Sequence, residues 1–266
     1  MYNTYIGRII LIPLVKNKFV SKLVGLFMDS FLSKIIIKPF ISFNNINMDD
    51  YEDTTYSSFN DFFIRNVKKN KRIIDSDKYS LISPCDSKLT YYKISSDLKF
   101  EVKNSIYTLS SILNDDCIVD KYKNGHLLVF RLSPDDYHRY IFIDDGTIKK
   151  HYMISGFYHT VNPIVYDKYK VFKENTRECT FIKTNNFHDI IQIEVGALLV
   201  GKINNTKTKG KVKKGKEKGY FMYGGSTIIL ILEENSVLID DEIIKNSKNG
   251  FETCVKCGEK IGQKYK

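Results

Sequence analysis

The sequence predicts an α+β protein in which amphipathic helices at the amino-terminal end are followed by a mostly antiparallel β core. Apolar residues recur at helical spacing between Val20 and Ile35. From residue 80 onward the pattern changes to short β-type runs, separated by turn-forming pairs such as Asn124-Gly125. The chain has 266 residues, 42% of them hydrophobic, and can therefore bury a sizeable core. We expect a basic helical region over residues 1–57 and a β-rich domain over residues 58–266.

The amino-terminal region contains the longest apolar stretch, and its charges limit what it can do. Ile9 to Val15 is closed by Lys16, which makes it too short and wrongly flanked for a signal peptide. No uncharged run of about 18 residues follows, so a membrane-spanning helix is not expected. The apolar positions from 20 to 35 instead predict one or two basic helices on a membrane surface. Near Lys34 either the helix ends or the lysine stem lies along the apolar stripe. Alternatively the helices cover the core of the main domain, and each interpretation can hold for a different face.

Positive charge is concentrated in two parts of the chain, whose formal net charge is +10. Residues 1–45 hold six basic residues against Asp29, and residues 202–218 hold eight lysines against Glu217. Such clusters suit an anionic surface, either lipid or nucleic acid. Solvated loops remain the alternative for the second cluster.

The cysteines form the pattern of neither a disulfide framework nor a metal site. The five are Cys85, Cys117, Cys179, Cys254 and Cys257. Their odd number and scattered spacing point to a reducing compartment. The last two make a single CxxC pair, which neither a second pair nor histidines follow. We therefore expect no zinc or other metal.

The remaining elements follow local signals in chain order. Ser58 is the predicted N-cap of a short helix over residues 59–65, whose aromatic side chains are expected to pack. The β-type runs after it cover residues 80–82, 89–94, 99–102, 126–132, 140–143, 147–153, 190–195, 197–203 and 227–232. Strands outnumber helices, which supports the α+β class.

Two glycines and a serine, Gly224-Gly225-Ser226, lie between two β-type runs. A Gly-Gly pair commonly forms an exposed hairpin turn, and this is the simpler interpretation. The chemical alternative starts from the serine. If the backbone is strained there, the Ser226 Oγ can attack the Gly225 carbonyl and convert the amide into an ester, from which elimination and hydrolysis leave a pyruvoyl group. The short motif by itself does not decide between the two.

Ionisable residues gather at two turns of the β region. Asp86 is the carboxylate of the turn over residues 83–87, where an ordinary Asx-turn role is the simpler interpretation. His138 follows a proline turn after the run 126–132, and three of the five histidines, His159 among them, fall between residues 138 and 159. A lone histidine is more often structural than catalytic. These residues gain significance only in combination.

In combination, seven short motifs resemble those of the phosphatidylserine decarboxylases. They occur in unbroken order from about residue 55 to the carboxyl-terminal end: Phe59-Asn60-Asp61-Phe62-Phe63-Ile64-Arg65, Ser83-Pro84-Cys85-Asp86, Asp136-Tyr137-His138-Arg139, Val161-Asn162-Pro163, Glu194-Val195-Gly196-Ala197, Lys218-Gly219-Tyr220-Phe221 running into Gly224-Gly225-Ser226-Thr227, and Val255-Lys256-Cys257-Gly258-Glu259-Lys260-Ile261-Gly262. The ordered set is far more specific than any single motif. The basic amphipathic start also fits.

The resemblance implies a self-cleaving proenzyme. Cleavage between Gly225 and Ser226 would leave residues 1–225 as the β chain and residues 226–266 as the α chain, which begins with a pyruvoyl group made from Ser226. An α chain that short cannot hold a core of its own and must stay bound, as a heterodimer of the two chains from one proenzyme. By the same resemblance, neither pyridoxal phosphate nor a metal is required.

The resemblance also assigns roles to two candidate residues. Asp86 matches the family's carboxylate that acts with a histidine and the serine in cleavage, in an arrangement with the logic of a serine triad. His138 matches the histidine placed near the substrate, which assists decarboxylation and the return of a proton to the carbon that loses CO2.

The implied reaction is the decarboxylation of phosphatidylserine to phosphatidylethanolamine. The substrate is an anionic lipid, so residues 1–45 are expected to hold the protein peripherally at the cytoplasmic face of the cell membrane, and no nucleic acid partner is expected. Two alternatives stay open. A soluble pyruvoyl-dependent amino-acid decarboxylase would not need the basic amphipathic start, and a non-catalytic membrane-surface binding protein would not cleave itself.

One position departs from the family pattern. Many relatives carry a second histidine three residues after the one in the Tyr-His-Arg motif, and that residue is the expected partner of the carboxylate and serine in cleavage. Here the position is Ile141, which cannot move a proton. Either His138 serves both steps, or another imidazole has taken the place.

The hypothesis for that replacement is His159. Residues 138–143 and 147–153 are predicted strands joined by a turn, and His159 lies on the next segment. A neighbouring strand lies about 5 Å away, so a side chain at position 159 could replace one missing at position 141. We hypothesise that His159 completes the cleavage triad with Asp86 and Ser226.

Overall fold

The computed structural model describes residues 18–102, 105–115, 119–157, 170–199 and 202–265, and it confirms the α+β class. The helices are α1 Lys18–Asp29, α2 Ile37–Phe43, α3 Phe59–Phe63, α4 Leu109–Leu113, α5 Val171–Glu174 and α6 Asp241–Lys248, with 3-10 helices at Phe31–Ile36, Met48–Asp50 and Val119–Tyr122. The strands are β1 Ser80–Ile82, β2 Ser87–Lys93, β3 Lys99–Val102, β4 Ser105–Thr108, β5 His126–Leu132, β6 Arg139–Ile141, β7 Gly146–Ile154, β8 Arg177–Thr184, β9 Asp189–Leu199, β10 Ile203–Asn205, β11 Gly210–Val212, β12 Glu217–Phe221, β13 Gly224–Leu232, β14 Val237–Ile239, β15 Thr253–Val255 and β16 Lys260–Lys264.

The largest sheet in these ranges has eight strands in the order β11-β7-β8-β9-β13-β5-β2-β15. Each pair of neighbours in it is antiparallel. Two three-stranded sheets, β1-β16-β14 and β10-β12-β6, and the pair β3-β4 lie beside it. The order places β13, which carries Ser226, at an interior position between β9 and β5.

The residues of β13 explain its interior position. Ile228, Leu230 and Leu232 belong to the core on one side of the sheet, whereas Ile229 and Ile231 belong to the core on the other side. Successive side chains of a strand point to opposite faces, so an uninterrupted apolar run is buried on both. Each of these side chains is fully buried, which stabilises the fold by roughly 1.5–3 kcal/mol per side chain.

Most predicted strands are confirmed, and β1, β3 and β5 have the predicted bounds. The separate runs over 190–195 and 197–203 are a wrong prediction, because Asp189–Leu199 is a single strand. The reason is Gly196, which stays in the ladder opposite Ser226 and does not end the strand.

The strands on either side of residue 144 lie in different sheets. β6 pairs with β12, and β7 pairs with β8 and β11. The turn between β6 and β7 is held by Asn186, because Asp144 accepts hydrogen bonds from the backbone N–H and the side-chain amide of Asn186 at 2.8 and 3.0 Å. The hypothesis that a side chain at position 159 replaces one at position 141 relied on a neighbouring strand about 5 Å away. Because β6 and β7 are not neighbours in one sheet, these two strands do not support that distance.

The amino-terminal helices have two faces of different character. Inward side chains pack against the buried cluster of Ile46, Tyr51, Phe59, Phe62 and Phe63, and they include Met28, Ile36, Ile37, Phe40 and Ile41. Outward side chains form what we call the outer apolar face, namely Leu23, Leu26, Phe27, Phe31, Leu32 and Ile35. The last three are 73%, 71% and 79% exposed. The core-covering interpretation is therefore confirmed for one face, while the other remains open apolar surface.

Lys34 and the end of helix α1 bear on the predicted basic helices. The Lys34 Nζ lies 4.7 Å from the centroid of the Phe31 ring, so the lysine stays beside the apolar stripe. Helix α1 ends at Asp29 and a 3-10 helix follows, so the apolar repeat does not form one long helix. No helix in the described ranges has the length and apolar character needed to cross a bilayer.

The short helix α3 is capped as predicted, since the Ser58 Oγ accepts a hydrogen bond from the Asp61 N–H at 3.1 Å. The ring centroids of Phe59 and Phe63 lie 5.0 and 5.4 Å from that of Tyr223. We call Phe40, Phe59, Phe62, Phe63 and Tyr223 the aromatic cluster. It joins residues from both sides of position 57 to the segment leading to Ser226, and the division of domains at that position stays a prediction.

Candidate active site

Ser226 is the third residue of β13, paired with Leu132 of β5 on one side and Gly196 of β9 on the other. The simpler interpretation of the Gly-Gly pair as an exposed hairpin turn is wrong, because Gly224–Leu232 is one continuous strand. Ser226 is fully buried. Its Oγ has no hydrogen-bond partner among the residues that the structure describes. The segment is hydrogen-bonded to a strand on each side. A Gly-Gly pair in the sequence does not indicate these two neighbouring strands.

The ladder is irregular at the Gly225–Ser226 bond. Gly224 pairs with Leu199 and Ser226 pairs with Gly196, so two steps along β13 correspond to three along β9. Gly224 has φ +146°, a conformation that side chains rarely adopt. Bulges of this kind re-aim groups next to active sites. The irregularity therefore lies at the one bond where the serine hydroxyl can reach the preceding carbonyl.

His138 is buried, and one of its ring nitrogens is free to accept a proton. Its Nδ1 lies 2.8 Å from the carbonyl oxygen of Asp136, which can only accept, so Nδ1 carries the hydrogen. Nε2 is buried, with no partner in the described ranges. The pKa of His138 is lowered to about 3, mainly by burial; the hydrogen bond to Asp136 opposes this shift and the nearby charge of Arg65 adds to it. The imidazole is therefore neutral at neutral pH.

The surroundings of His138 bring it close to the serine segment. Its ring centroid lies 4.1 Å from that of Phe63, a member of the aromatic cluster that also contains Tyr223. The His138 carbonyl accepts a hydrogen bond from the Phe221 N–H at 3.0 Å. His138 thus packs beside the residues that lead directly to the Gly225–Ser226 bond.

Asp86 is buried and takes several donors. The guanidinium of Arg72 donates from Nε to Oδ1 at 2.8 Å and from Nη2 to Oδ2 at 2.5 Å. The Cys257 N–H donates to Oδ1 at 2.8 Å, and Lys256 Nζ lies 3.5 Å from Oδ2. Sequence reasoning missed Arg72, since it belongs to none of the motifs. Asp86 therefore does more than close a turn, because it joins three distant parts of the chain.

Asp86 and Ser226 lie at the same end of the sheet on opposite sides of β5. Ser226 pairs with Leu132, and Lys88 pairs with Arg131. Two strand spacings separate β13 from β2, or about 10 Å. A direct hydrogen bond between the carboxylate and the serine hydroxyl is too long at that spacing. A third group is needed to connect them.

Position 141, where the resemblance leads us to expect a histidine, lies beside the Asp86 turn. The Ile141 N–H donates to the Pro84 carbonyl at 2.9 Å. The Ile141 side chain is buried in the apolar core. Residue 141 is therefore next to the turn that carries Asp86, and the role of a side chain there stays a prediction.

His159 lies outside the described residues, as does the motif Val161-Asn162-Pro163. The last described residue before it, Phe157, forms a bridge with Asn175. The Asn175 side chain in turn donates to the Gly196 carbonyl at 2.9 Å, and Gly196 pairs with Ser226. Phe157 is thus connected, through Asn175 and Gly196, to the neighbourhood of the serine.

Two buried charges from the family motifs lie near the serine. Lys218 Nζ donates to Glu194 Oε2 at 2.7 Å and to Asn205 Oδ1 at 2.7 Å, and Glu194 pairs across the sheet with Ile228. Burial raises the pKa of Glu194 and lowers the pKa of Lys218, while their mutual attraction opposes both shifts. The pair holds β12 against β9 just before the chain turns into β13.

A second carboxyl group near His138 was also missed. Burial raises the pKa of Asp136 to about 6, against a hydrogen bond from the Ser133 N–H. Asp136 therefore changes charge near neutral pH, two residues from His138. The Asp-Tyr-His-Arg motif contains this carboxyl group, but its burial has no sequence signal.

Two observations concern metals and thiols. Within the described ranges, no three residues among His, Cys, Asp and Glu are grouped so as to hold a metal ion. The described cysteines Cys85, Cys179, Cys254 and Cys257 are free thiols.

Comparisons with known proteins identify the family of this chain. Residues 59–263 match the family model described as phosphatidylserine decarboxylase. The chain is 50% identical over 263 residues to the phosphatidylserine decarboxylase proenzyme 2 of Clostridium acetobutylicum, covering 99% of this chain and 90% of that one. It is 47% identical over 257 residues to the phosphatidylserine decarboxylase proenzyme of Clostridium tetani, covering 94% and 86%. It is 44% identical over 268 residues to that of Clostridium beijerinckii, covering 99% and 90%. The match spans the buried serine, the neutral histidine and the arginine-bound carboxylate, and the chain belongs to the phosphatidylserine decarboxylase family.

Proposed function

We propose that this chain cuts itself between Gly225 and Ser226 and then decarboxylates phosphatidylserine with a pyruvoyl group made from Ser226. Its family makes it a carboxy-lyase that yields phosphatidylethanolamine after autocatalytic processing. The observation that carries the choice of bond is the buried Ser226 Oγ, unpartnered among the described residues, next to an irregularity in the ladder.

The cleavage uses only atoms of the chain and water. The Ser226 Oγ loses its proton and attacks the Gly225 carbonyl carbon. The C–N bond breaks, the freed amine takes up a proton, and an ester links the two residues. Removal of the Ser226 α-proton then breaks the Cβ–Oγ bond, which leaves a carboxylate on Gly225 and an enamine on the new chain. Water hydrolyses its imine tautomer, releasing ammonia and leaving the pyruvoyl group.

For the proton transfers in cleavage we propose a triad of Ser226, His159 and Asp86. Three observations support it. Strands β13 and β2 are two strand spacings apart, or about 10 Å, which calls for a group between Ser226 and Asp86. The position expected for an imidazole, beside the Asp86 turn, holds Ile141. Phe157, two positions before His159, forms a bridge with Asn175, whose side chain is hydrogen-bonded to the neighbour of Ser226.

For the decarboxylation we propose that His138 holds the proton that is returned to the α-carbon of the substrate. A small carbonyl group fits at position 226, because the serine hydroxyl there is buried and makes no hydrogen bond within the described ranges. When present, the pyruvoyl group supplies a carbonyl that takes up the electrons released with CO2. The neutral His138, held through Nδ1 by Asp136, has Nε2 available to hold and return the proton.

The lipid partner is proposed from the outer apolar face. Phe31, Leu32 and Ile35 project into solvent, and Lys22, Lys34 and Lys38 lie on the same helices. Apolar insertion combined with basic residues is typical of proteins that lie on anionic bilayers. We propose peripheral attachment at the cytoplasmic face of the cell membrane.

The experiment for the proposed function combines intact mass with a substrate comparison. Under denaturing conditions we expect two chains, residues 1–225 and a 226–266 chain that begins with a pyruvoyl group. The purified protein should release CO2 from phosphatidylserine vesicles and not from free amino acids. A single chain of 30.9 kDa would reject self-cleavage. Release from free amino acids alone would favour the soluble amino-acid decarboxylase.

The division of labour between the histidines has its own test. His159→Ala should stay uncleaved, whereas His138→Ala should be cleaved and inactive. A normally processed His159→Ala protein would reject the triad. It would leave His138 as the base for both steps.

A further inference from the structure

The geometry points to Asn60 and Asp29 as positioning residues for self-cleavage. We infer that the Asn60 amide holds the backbone just before the scissile bond, and that Asp29 fixes the orientation of that amide. The inference rests on the proposed cleavage between Gly225 and Ser226. It gives the amino-terminal helices a task beyond contact with lipid.

Two hydrogen bonds connect helix α1 to the serine segment. The Tyr223 N–H donates to Asn60 Oδ1 at 3.1 Å, and Asn60 Nδ2 donates to Asp29 Oδ1 at 2.7 Å. Asn60 is buried. A carboxylate can only accept, so the amide nitrogen must face Asp29 and the amide oxygen must face Tyr223. Asp29 thereby selects the one orientation of Asn60 that can receive the backbone N–H.

The anchor acts where the chain has the most freedom. Tyr223 is followed by Gly224 and Gly225, and glycine loses more conformational freedom on ordering than any other residue. The ladder to β9 is irregular between Gly224 and Ser226, so regular pairing does not hold the carbonyl that is attacked. An intramolecular attack depends steeply on the position of the attacked carbon. Fixing the main chain at Tyr223, two residues before Gly225, restricts the positions that the Gly225 carbonyl carbon can take.

The side chain and the main chain of Tyr223 are held separately. Its ring packs in the aromatic cluster, 5.0 Å from Phe59 between centroids. Its N–H is held by Asn60 on the same helix α3. A second tie, from the Phe59 N–H to the Ser33 Oγ at 2.8 Å, binds α3 to the amino-terminal helices. The helices that present the outer apolar face thus also support the residues preceding the cleavage bond.

The test follows cleavage of freshly made proenzyme by denaturing gel, after cell-free synthesis. Asn60→Asp keeps an acceptor for Tyr223 but sets two carboxylates against each other. Cleavage should slow by about tenfold or more, the effect of losing one well-placed hydrogen bond. Adding Asp29→Asn restores the pair with donor and acceptor exchanged, so the double variant should recover to within about threefold of wild type.

The matched control is Asp61→Asn, the neighbouring residue on α3, whose carboxylate accepts from Ser57 and does not contact Tyr223. It should cleave at the wild-type rate. For Asn60→Asp, CO2 released per cleaved chain should stay within about twofold of wild type, since positioning for cleavage ends once the bond is broken. That split separates positioning from a general loss of structure.

Each contrary outcome is distinct. Wild-type cleavage rates in both Asn60→Asp and Asn60→Ala would overturn the inference and leave the proposed function intact. A slow Asn60→Asp that Asp29→Asn does not rescue would also overturn it, because the defect would then not lie in the pairing. Absence of cleavage in the wild-type chain would instead reject the proposed function itself.

Discussion

At the scale of single residues, the Ser226 Oγ and the His138 Nε2 are two of the ten buried side-chain polar atoms that lack partners within the described ranges. A buried polar atom left unpaired costs about 1–3 kcal/mol of stability. The cost is understandable where the atom must be free to take or give a proton. Both atoms belong to residues proposed for the chemistry, and Asp86, which has no free oxygen, is held by Arg72.

The first prediction concerns the hydroxyl of Ser226. Ser226→Ala should remain a folded single chain, with cleavage below detection on a denaturing gel, because only the attacking oxygen is lost. Thr227→Val is the matched control, since its hydroxyl is also buried and unpartnered among the described residues but faces the other side of β13. That variant should cleave normally. Two chains from Ser226→Ala would reject Ser226 as the nucleophile.

The second prediction concerns Asp86 and its partner. Asp86→Asn should block cleavage, and Arg72→Gln should still cleave, because only the first removes the carboxylate. Each should lower the free energy of unfolding by about 3 kcal/mol, since each removes one partner of a buried ion pair. Urea titration of uncleaved protein, prepared with Ser226→Ala, measures the stability. Equal cleavage by both variants would return Asp86 to a structural role.

The third prediction is a pH dependence from His138. Its pKa is lowered from 6.5 to about 3 in the folded state. The folded state therefore binds fewer protons, and the stabilisation present above pH 6.5 is lost as pH falls towards 3. At pH 5 the loss should be about 2 kcal/mol relative to pH 8.

The measurement compares proteins at equal pH. Asp136 acts in the opposite direction, because its pKa is raised to about 6 and its contribution to stability is lost as pH rises through that value. Subtracting the urea-unfolding profile of His138→Gln isolates the imidazole. A difference between the two proteins that does not change from pH 8 to 5 would contradict a buried neutral His138.

At the scale of elements, the amino-terminal helices separate two tasks on two faces. The inward side chains pack on the aromatic cluster, and the outer apolar face points to solvent. Deleting the whole region would therefore disturb both tasks. Substitutions confined to the outer face can separate them.

The fourth prediction uses Phe31, Leu32 and Ile35. Replacing all three with serine should weaken binding to phosphatidylserine-containing vesicles by at least about a hundredfold. The reason is that burying each side chain in a bilayer contributes roughly 1.5–3 kcal/mol to the free energy of binding. Self-cleavage should be unchanged. Vesicle co-sedimentation measures the binding, and Ile73→Ser, an exposed apolar site outside these helices, is the control. Unchanged vesicle binding by the triple variant would move the lipid contact elsewhere, with residues 202–218 the next candidate.

At the scale of the whole molecule, strands of the proposed α chain pair with strands of the proposed β chain. Residues 226–232 lie between β9 and β5, β16 lies between β1 and β14, and β15 pairs with β2. Strands of the two proposed chains therefore pair with each other in two sheets. Breaking one peptide bond leaves these ladders in place.

The fifth prediction follows from that pairing. The two chains should co-elute on size exclusion and unfold in one cooperative transition, and they should separate only in denaturant. Intact mass of the eluted peak checks the composition. Elution of a free 226–266 chain in native buffer would contradict the proposed heterodimer.

What the sequence by itself determined are the features that depend on neighbouring residues. Ser58 as a cap, the apolar run of β13 and the two-faced helical repeat are local patterns, and each is in the structure. Seven ordered motifs also identified the family. Periodicity and capping depend on residues a few positions apart, so one sequence contains enough to predict them.

Only the tertiary structure decided the surroundings of the site. The Gly-Gly pair lies inside a strand because β5 and β9 flank it, and both come from far along the chain. Asn60 meets Tyr223 across 163 residues of sequence, and Arg72 reaches Asp86 without any motif. Such contacts are set by how separate elements pack, and no local spacing encodes which donor will face which acceptor once the chain has folded.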